Sequence, residues 1–346
     1  MSKKLCLIFG NGLTIDLLTH LKLRDKVDVT NLFRYGAEVP WPASGEPGFL
    51  SFKHCPNLWN LGARPHMESG DSLALIEDII TCANAFASKS PSKRNLSQSA
   101  AKAPNEIYLN AFKELSLYLK YLFVYYDSIV ASELCHANDW PWLKYLKDVH
   151  NGSHYSKIEV ITFNYDPWLE RMLSQVSVPF DDAPLKSPLT NKVSIIKPHG
   201  SISFCHKTKL DSKSFAINYD KTLVDGVIAD FEVKYTELEE NYLVTPLIPP
   251  AGEARRLNQT WAGEIRKHSQ SVAESLTAED DMIICGISYW HVDRAELDDL
   301  LNSCSSAINI KMVNPSPSRT LTAVITSIFD KFICYPSNST LNKMPR

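Results

Sequence analysis

The amino-acid sequence predicts an α/β fold, a Rossmann-like parallel sheet with helices on both faces and a helical insertion between the first and second strands. Three observations lead there. Short apolar runs rich in strand formers recur at Leu5–Phe9, Val160–Phe163 and Val193–Ile196, within Asp281–Ser288, and at Ile308–Val313. Each run gives way abruptly to glycine or polar residues: Gly10-Asn11-Gly12, Asn164-Tyr165-Asp166, His199-Gly200-Ser201, Gly286-Ile287-Ser288 and Asn314-Pro315. Segments of helical spacing separate the runs, as the crossovers between parallel strands require.

At 346 residues the chain can hold one large domain or two ordinary ones. A net charge of -3 argues against a generic electrostatic nucleic-acid binder, which usually shows a basic surplus, so no direct nucleic-acid contact is expected. The cysteines (Cys6, Cys55, Cys82, Cys135, Cys205, Cys285, Cys304 and Cys334) lack the close spacing of a zinc knuckle or redox pair and read as reduced, mostly buried thiols. The apolar run after the basic start Met1–Leu5 stops at Gly10, too soon for a signal peptide, and no segment reads as membrane-spanning; a cytoplasmic location is expected.

In chain order, Leu5–Phe9 is the first strand, and Gly10-Asn11-Gly12 turns it into a helix over Leu13–Leu18. Strand, glycine turn and helix form a phosphate-binding arrangement, because the glycines admit close backbone approach and the helix start offers unpaired N–H groups. Ile15 stands where the third glycine of the dinucleotide fingerprint would fall. Thr14 and Asp16 either bond a ribose or cap the helix. The insertion, 38–155, begins with a Pro-, Gly- and Trp-rich loop held by Trp41, Phe49, Phe52 and Trp59. Ser72–Ala87 reads as a helix, and 88–103 as a mobile, solvated, locally basic loop. Glu106–Ser132 is a long helix crowded with aromatic residues, buried on two sides or used for self-association. Trp140-Pro141-Trp142 opens a further helix to Val149.

The run ending at Phe163 delivers Asn164 and Asp166 to a strand-to-helix junction, with Pro167 suited to opening the helix that follows. In an open α/β sheet ligands bind outside the carboxyl ends of the strands, although such residues also serve as ordinary turn and cap partners. The next strand ends in His199, followed by Gly200, which permits close backbone approach. Pro249–Arg256 makes a stiff corner bearing Arg255 and Arg256, and Asp293 reads as the N-cap of a helix over Arg294–Leu301. The chain 156–336 thus rejoins 1–37 in one sheet domain, and the polar tail 337–346 is expected to fray.

Gly10-Asn11-Gly12, Asn164-Tyr165-Asp166 and His199-Gly200-Ser201 stand in the order of the motifs of the sirtuin superfamily, a glycine-rich loop, an Asn-x-Asp turn and a His-Gly pair. The sequence resembles that superfamily and, within it, the sirtuin-like NADase branch of bacterial antiphage defence systems. Leu243–Pro250 before a Trp261-bearing helix, the Gly286-Ile287-Ser288 tip and Asn314-Pro315 agree with it, so the resemblance covers about residues 5–35 and 158–335. It departs from the deacylases in one respect that matters. Their zinc module follows the His-Gly pair, but Cys205 is the only cysteine between His199 and Cys285, so no structural zinc is expected.

The resemblance implies an NAD glycohydrolase releasing nicotinamide and ADP-ribose, with NAD as substrate. It implies catalytic roles for Asn164, His199 and Asp166, and NAD-binding roles for Gly10, Asn11 and Gly12 as a pyrophosphate loop, for Thr14, Asp16, Gly200 and Ser201, and for Gly286, Ser288 and Asn314 at the adenosine half. It also implies a homo-oligomer and a separately encoded partner, for which a ring ATPase of the DNA-translocase type is a reasonable expectation. A module that senses NAD or ADP-ribose without turnover is the alternative, and a protein deacylase a weaker one.

Overall fold

The computed structural model describes residues 3–87, 106–219, 224–249, 259–289 and 294–346. The expected mobile loop 88–103, the corner bearing Arg255 and Arg256, and the helix cap at Asp293 lie outside the described residues. The first strand, β1 (Lys3–Phe9), runs into α1 (Asn11–His20), and the insertion then supplies α2 (Pro56–Asn60), α3 (Ser69–Ala87), α4 (Glu106–Val130) and α5 (Pro141–Asn151). The chain returns as β2 (Tyr155–Thr162), α6 (Trp168–Gln175), β3 (Phe180–Ala183) and β4 (Val193–Ile196). An antiparallel pair, β5 (Phe204–His206) and β6 (Phe231–Val233), precedes α7 (Thr260–Glu274). The last third alternates β7 (Asp281–Cys285), α8 (Arg294–Ser303), β8 (Asn309–Val313), α9 (Arg319–Ile328) and β9 (Lys331–Tyr335).

Seven strands form one sheet in the order β3-β4-β2-β1-β7-β8-β9, and every neighbouring pair is parallel. The strands are apolar on both faces because both faces are covered. Leu5, Leu7 and Phe9 of β1 join a core with α1, α3, α4, α5 and α6, while Cys6 and Ile8 join a second core with α7, α8 and α9. This is the predicted α/β architecture. Among the described residues no helix is long and apolar enough to cross a membrane.

The insertion shares the first of these cores. Phe9 of β1 meets Trp142 of α5 edge-on at 5.0 Å, and Leu115, Tyr118, Leu119, Leu122 and Tyr126 of α4 are buried with them. Within α4 only Ser128 is exposed, while Tyr108, Leu117, Val124, Tyr125 and Ile129 are partly buried. Its charged residues Lys113, Glu114, Lys120 and Asp127 are buried too, and they are partnered. Glu114 caps α2 from outside, accepting from the backbone N–H groups of Asn57 (3.1 Å) and Leu58 (2.7 Å) and from the Tyr219 hydroxyl (2.8 Å). A short helix with no cap side chain of its own thereby receives an anion at its N-terminus. Lys192 does the converse for α5, donating to the carbonyls of Val149, His150 and Gly152 at 2.8 Å each.

Several expectations need correction. The tail does not fray: Asn338–Lys343 form a 3-10 turn, Leu341 is buried, Asn338 donates to Asp16 at 2.8 Å and Arg346 pairs with Asp148 at 2.6 Å. Phe52 does not help hold the insertion's first loop, being 60% exposed; Trp41 does, stacked on His54 and packed against Phe49 and Phe215. β3 and β9 are strands that apolar patterning missed. β3 carries two aspartates, of which Asp181 is satisfied by two backbone N–H groups and Lys186 across the following turn. β9 is a half-exposed edge.

Replacing the Glu114 side chain leaves the α2 donors buried and unpaired. Glu114→Ala is expected to lower the unfolding free energy by about 2–3 kcal/mol, measured by urea denaturation, and Glu114→Gln by less, because an amide oxygen still accepts.

Candidate active site

On one side of β1 the chain lays down β2, then the edge strand β3, then β4 between them, and it crosses to the other side of β1 to lay down β7, β8 and β9. β1 and β7 therefore flank the topological switch point, where the loops beyond the strand ends separate and leave a crevice. The glycines of both loops meet there. Gly10 N–H donates to the Cys285 carbonyl and Gly12 N–H to that of Gly286, each at 3.0 Å. A Cβ on Gly12 would stand 2.3 Å from Gly286 Cα, and one on Gly286 2.5 Å from Gly12 Cα, a separation that real side chains do not reach. Gly286 also adopts φ +68°, where L-residues are strained. The Gly-Asn-Gly turn thus brings two loops into backbone contact with each other, a use of glycine that phosphate binding does not require.

Four strand tips contribute to a cavity of about 120 Å³ at this point. β1 supplies Gly10 and Asn11, β2 Asn164 and Asp166, β4 His199, and β7 Gly286 and Ser288; Phe123, Phe163, Tyr289 and Leu297 furnish apolar wall. The Asn164 amide forms no hydrogen bond with the described residues, and its backbone N–H is bound to Thr162 Oγ1 at 3.3 Å. An adjoining groove of about 910 Å³ shares Asn11, Gly286 and Ser288 with the cavity and extends past Gly12 and Asp16 to Asn314, Ser316 and Asn338. Cavity and groove together have the size of small-molecule sites.

Asp166 shares the cavity wall, but both its oxygens are committed. Oδ2 accepts from Thr14 Oγ1 at 2.9 Å and Oδ1 from Trp168 N–H at 3.3 Å, while its carbonyl takes Lys197 Nζ at 2.5 Å. Lys197, itself buried, pairs with Glu170 at 2.6 Å. Burial pushes the Asp166 carboxyl up to about 6, with Lys197 opposing and Glu170 reinforcing the shift. Asp166 therefore serves to lock the turn that presents Asn164.

Other expected site residues have structural partners as well. Thr14 holds Asp166 and does not cap α1, whose N-cap is Gly10. Asp16 lines the groove with Oδ2 bonded by Trp140 Nε1 and Asn338 Nδ2, both at 2.8 Å. Gly200 and Ser201 line neither the cavity nor the groove. Gly200 sits at φ +81° with its α-carbon against the Pro246 carbonyl, and Ser201 Oγ donates to the Tyr165 carbonyl at 3.0 Å, tying the β2 and β4 tips together. Asn314 occupies the groove wall, its Oδ1 accepting from Ser316 N–H at 3.0 Å.

Sequence reasoning missed two residues of the site. His199 Nε2 lies 2.9 Å from Glu296 Oε2, and Glu296 Oε1 lies 3.1 Å from Arg266 Nε. Glu296 stands in the first turn of α8, where an acidic residue reads simply as a complement to the helix dipole, and Arg266 is one of several charged residues of α7. Neither carried a motif. No protein-family model matches the sequence, and no curated protein matches it.

Two outcomes are expected here. Gly286→Ala should destabilise the chain by about 1–3 kcal/mol and weaken ligand binding, read by thermal melts and calorimetric titration, because both loops must separate. Asp182, which feels the charges of Glu170 and Lys197, accepts from the Tyr235 hydroxyl at 2.6 Å, and burial raises its carboxyl to about 6. A raised carboxyl binds its proton more tightly in the folded state, so the stability it contributes is present below about pH 4 and lost as pH rises through 6. Asp182→Asn is therefore expected to raise the melting temperature relative to wild type more at pH 7.5 than at pH 4.5.

Proposed function

We propose that the chain is an NAD glycohydrolase that cleaves NAD to nicotinamide and ADP-ribose, the effector of an antiphage defence complex in which activation depletes NAD. The observation that carries this is the meeting of Asn164 and His199, 35 positions apart in sequence, in one cavity that opens into a groove long enough to take the rest of a dinucleotide. The Asn164 amide, unengaged among the described residues, suits the orientation of a water or a ribose hydroxyl without added charge.

The chemistry asked of the site is modest. Nicotinamide leaves a cationic nitrogen as a neutral molecule, taking the pair of the C–N bond, and the transition state is oxocarbenium-like. Water adds to the anomeric carbon, and its proton passes to a base and then to solvent. His199 is the base in this scheme, since imidazole titrates near neutral pH. The apolar wall of Phe163, Tyr289 and Leu297 keeps bulk water from the reacting carbon. Asn314 and Ser288 would face the adenosine half from the groove, and the separate partner implied by the resemblance would control access.

Purified protein, alone and with its candidate partner, is incubated with NAD and nicotinamide release is followed chromatographically. Asn164→Ala and His199→Ala are each expected to slow turnover by roughly a hundred-fold. Undiminished NAD consumption by both variants defeats the assignment, and binding of NAD or ADP-ribose by wild type without nicotinamide release assigns a sensor instead.

A further inference from the structure

We infer that Asp16 makes the groove selective for a dinucleotide whose adenosine ribose is unmodified, accepting from the ribose hydroxyls and repelling a phosphate carried on them, so that NAD enters and its 2′-phosphorylated form, NADP, is turned away. The inference deepens the dinucleotide reading of the groove and rests on it. What it adds is a charge-selective residue that lines the groove and lies outside the reacting cavity.

The position follows from helix geometry. Asp16 stands five residues after α1 begins at Asn11. That is about 7.5 Å along the helix axis, the step that separates a pyrophosphate at the glycine turn from the ribose beyond it. The carboxylate is fixed there by two donors distant in sequence: Oδ2 accepts from Trp140 Nε1, just ahead of α5, and from Asn338 Nδ2, in the turn near the chain end, both at 2.8 Å. Oδ1 carries no hydrogen bond to the described residues. A half-buried carboxylate held by one oxygen, with the other uncommitted at a groove wall, is an acceptor suited to the hydroxyls of a vicinal diol.

The same carboxylate decides what the groove refuses. Among the described residues that line the groove, Asp16 is the one with a formal charge, and none is a lysine or arginine. A 2′-phosphate seated beside it meets a like charge and no countercharge, where phosphate recognition ordinarily calls for a cation. Burial, and after it the charge of Asp16, push the thiol of Cys285 upward, and Cys285 also lines the groove, so the negative charge is felt across the space. Other polar groups of the wall are neutral and locally bonded. Thr30 Oγ1 donates to Asp28, which is itself paired with Arg34 at 3.1 Å, and Asn314 Oδ1 accepts from Ser316 N–H.

Calorimetric titration of the full-length protein with ADP-ribose and with ADP-ribose 2′-phosphate reads the preference without turnover. Wild type is expected to bind the 2′-phosphate about a hundred-fold more weakly, and the gap should narrow as salt is raised, because charge repulsion is screened and steric exclusion is not. In Asp16→Asn, whose amide oxygen still accepts from Trp140 and Asn338, the 2′-phosphate should gain about ten-fold in affinity while ADP-ribose loses less than that. Wild type that binds the 2′-phosphate as tightly as ADP-ribose overturns the inference. So does a gap that salt leaves unchanged, which decides the matter even where Asp16→Asn does not fold, and so does a folded Asp16→Asn that keeps the wild-type preference. Selective binding of ADP-ribose without nicotinamide release from NAD upholds the inference and defeats the hydrolase reading. Release from NAD and NADP with equal efficiency defeats the inference alone, and wild type that binds neither ligand and releases no nicotinamide overturns both.

Discussion

The crevice of this protein depends on a contact between two stretches of bare backbone. Where the Gly10–Gly12 turn crosses Gly286, no side chain fits on either strand end, and two N–H to carbonyl bonds of 3.0 Å seal the crossing. β1 and β7 sit side by side in register up to Phe9 and Cys285, so the chain must diverge immediately beyond. The close crossing lets the loops separate only after they have passed each other, and Asn11, Ile287 and Ser288 become walls of the space that results. A side chain at any of these glycines would wedge the loops apart and remove the floor shared by cavity and groove.

Beneath that floor lies a layer of buried charge. Lys197, Glu170, Asp166 and Thr14 join β4, α6, the β2 tip and α1, and α4 enters from the insertion through Asp127, which accepts from Trp168 Nε1 at 3.1 Å and pairs with Arg171 at 2.7 Å. Buried ion pairs give little net stability after desolvation, but each lost partner leaves an uncompensated charge in the core. Their effect here is positional. The turn carrying Asn164 is bonded on three sides, and the insertion is one of the supports: Phe123 of α4 also packs edge-on against Tyr165 at 5.2 Å. The insertion is thus part of what aims the β2 tip.

Much of the fold was legible in the strands. Val160, Ile161, Ile283 and Ile284 are apolar in succession because the sheet is covered on both faces, and a run that short and that uniformly apolar finds burial on both sides most readily in a central parallel strand. Asn164 and His199 were legible as site candidates for a related reason: polar residues directly after a buried strand stand at the rim where ligands bind. β3 was not legible, because its aspartates are satisfied by partners beyond the strand, and neither was the ordered tail, whose polar residues are anchored by Asp16 and Asp148 far away in sequence.

The sequence by itself determined which central strands exist, that they are parallel, and that Asn164 and His199 reach the same edge of the sheet, because these follow from local propensity and the period of burial. Only the tertiary structure decided what each polar side chain does at that edge. Thr14, Asp16, Gly200 and Ser201 bear the same residue types whether they touch a ligand or a neighbour, and Glu296 looks like any first-turn acid until α8 is laid against β4. Hydrogen bonds and ion pairs act over about 3 Å, and whether two residues distant in sequence come that close depends on packing the whole chain.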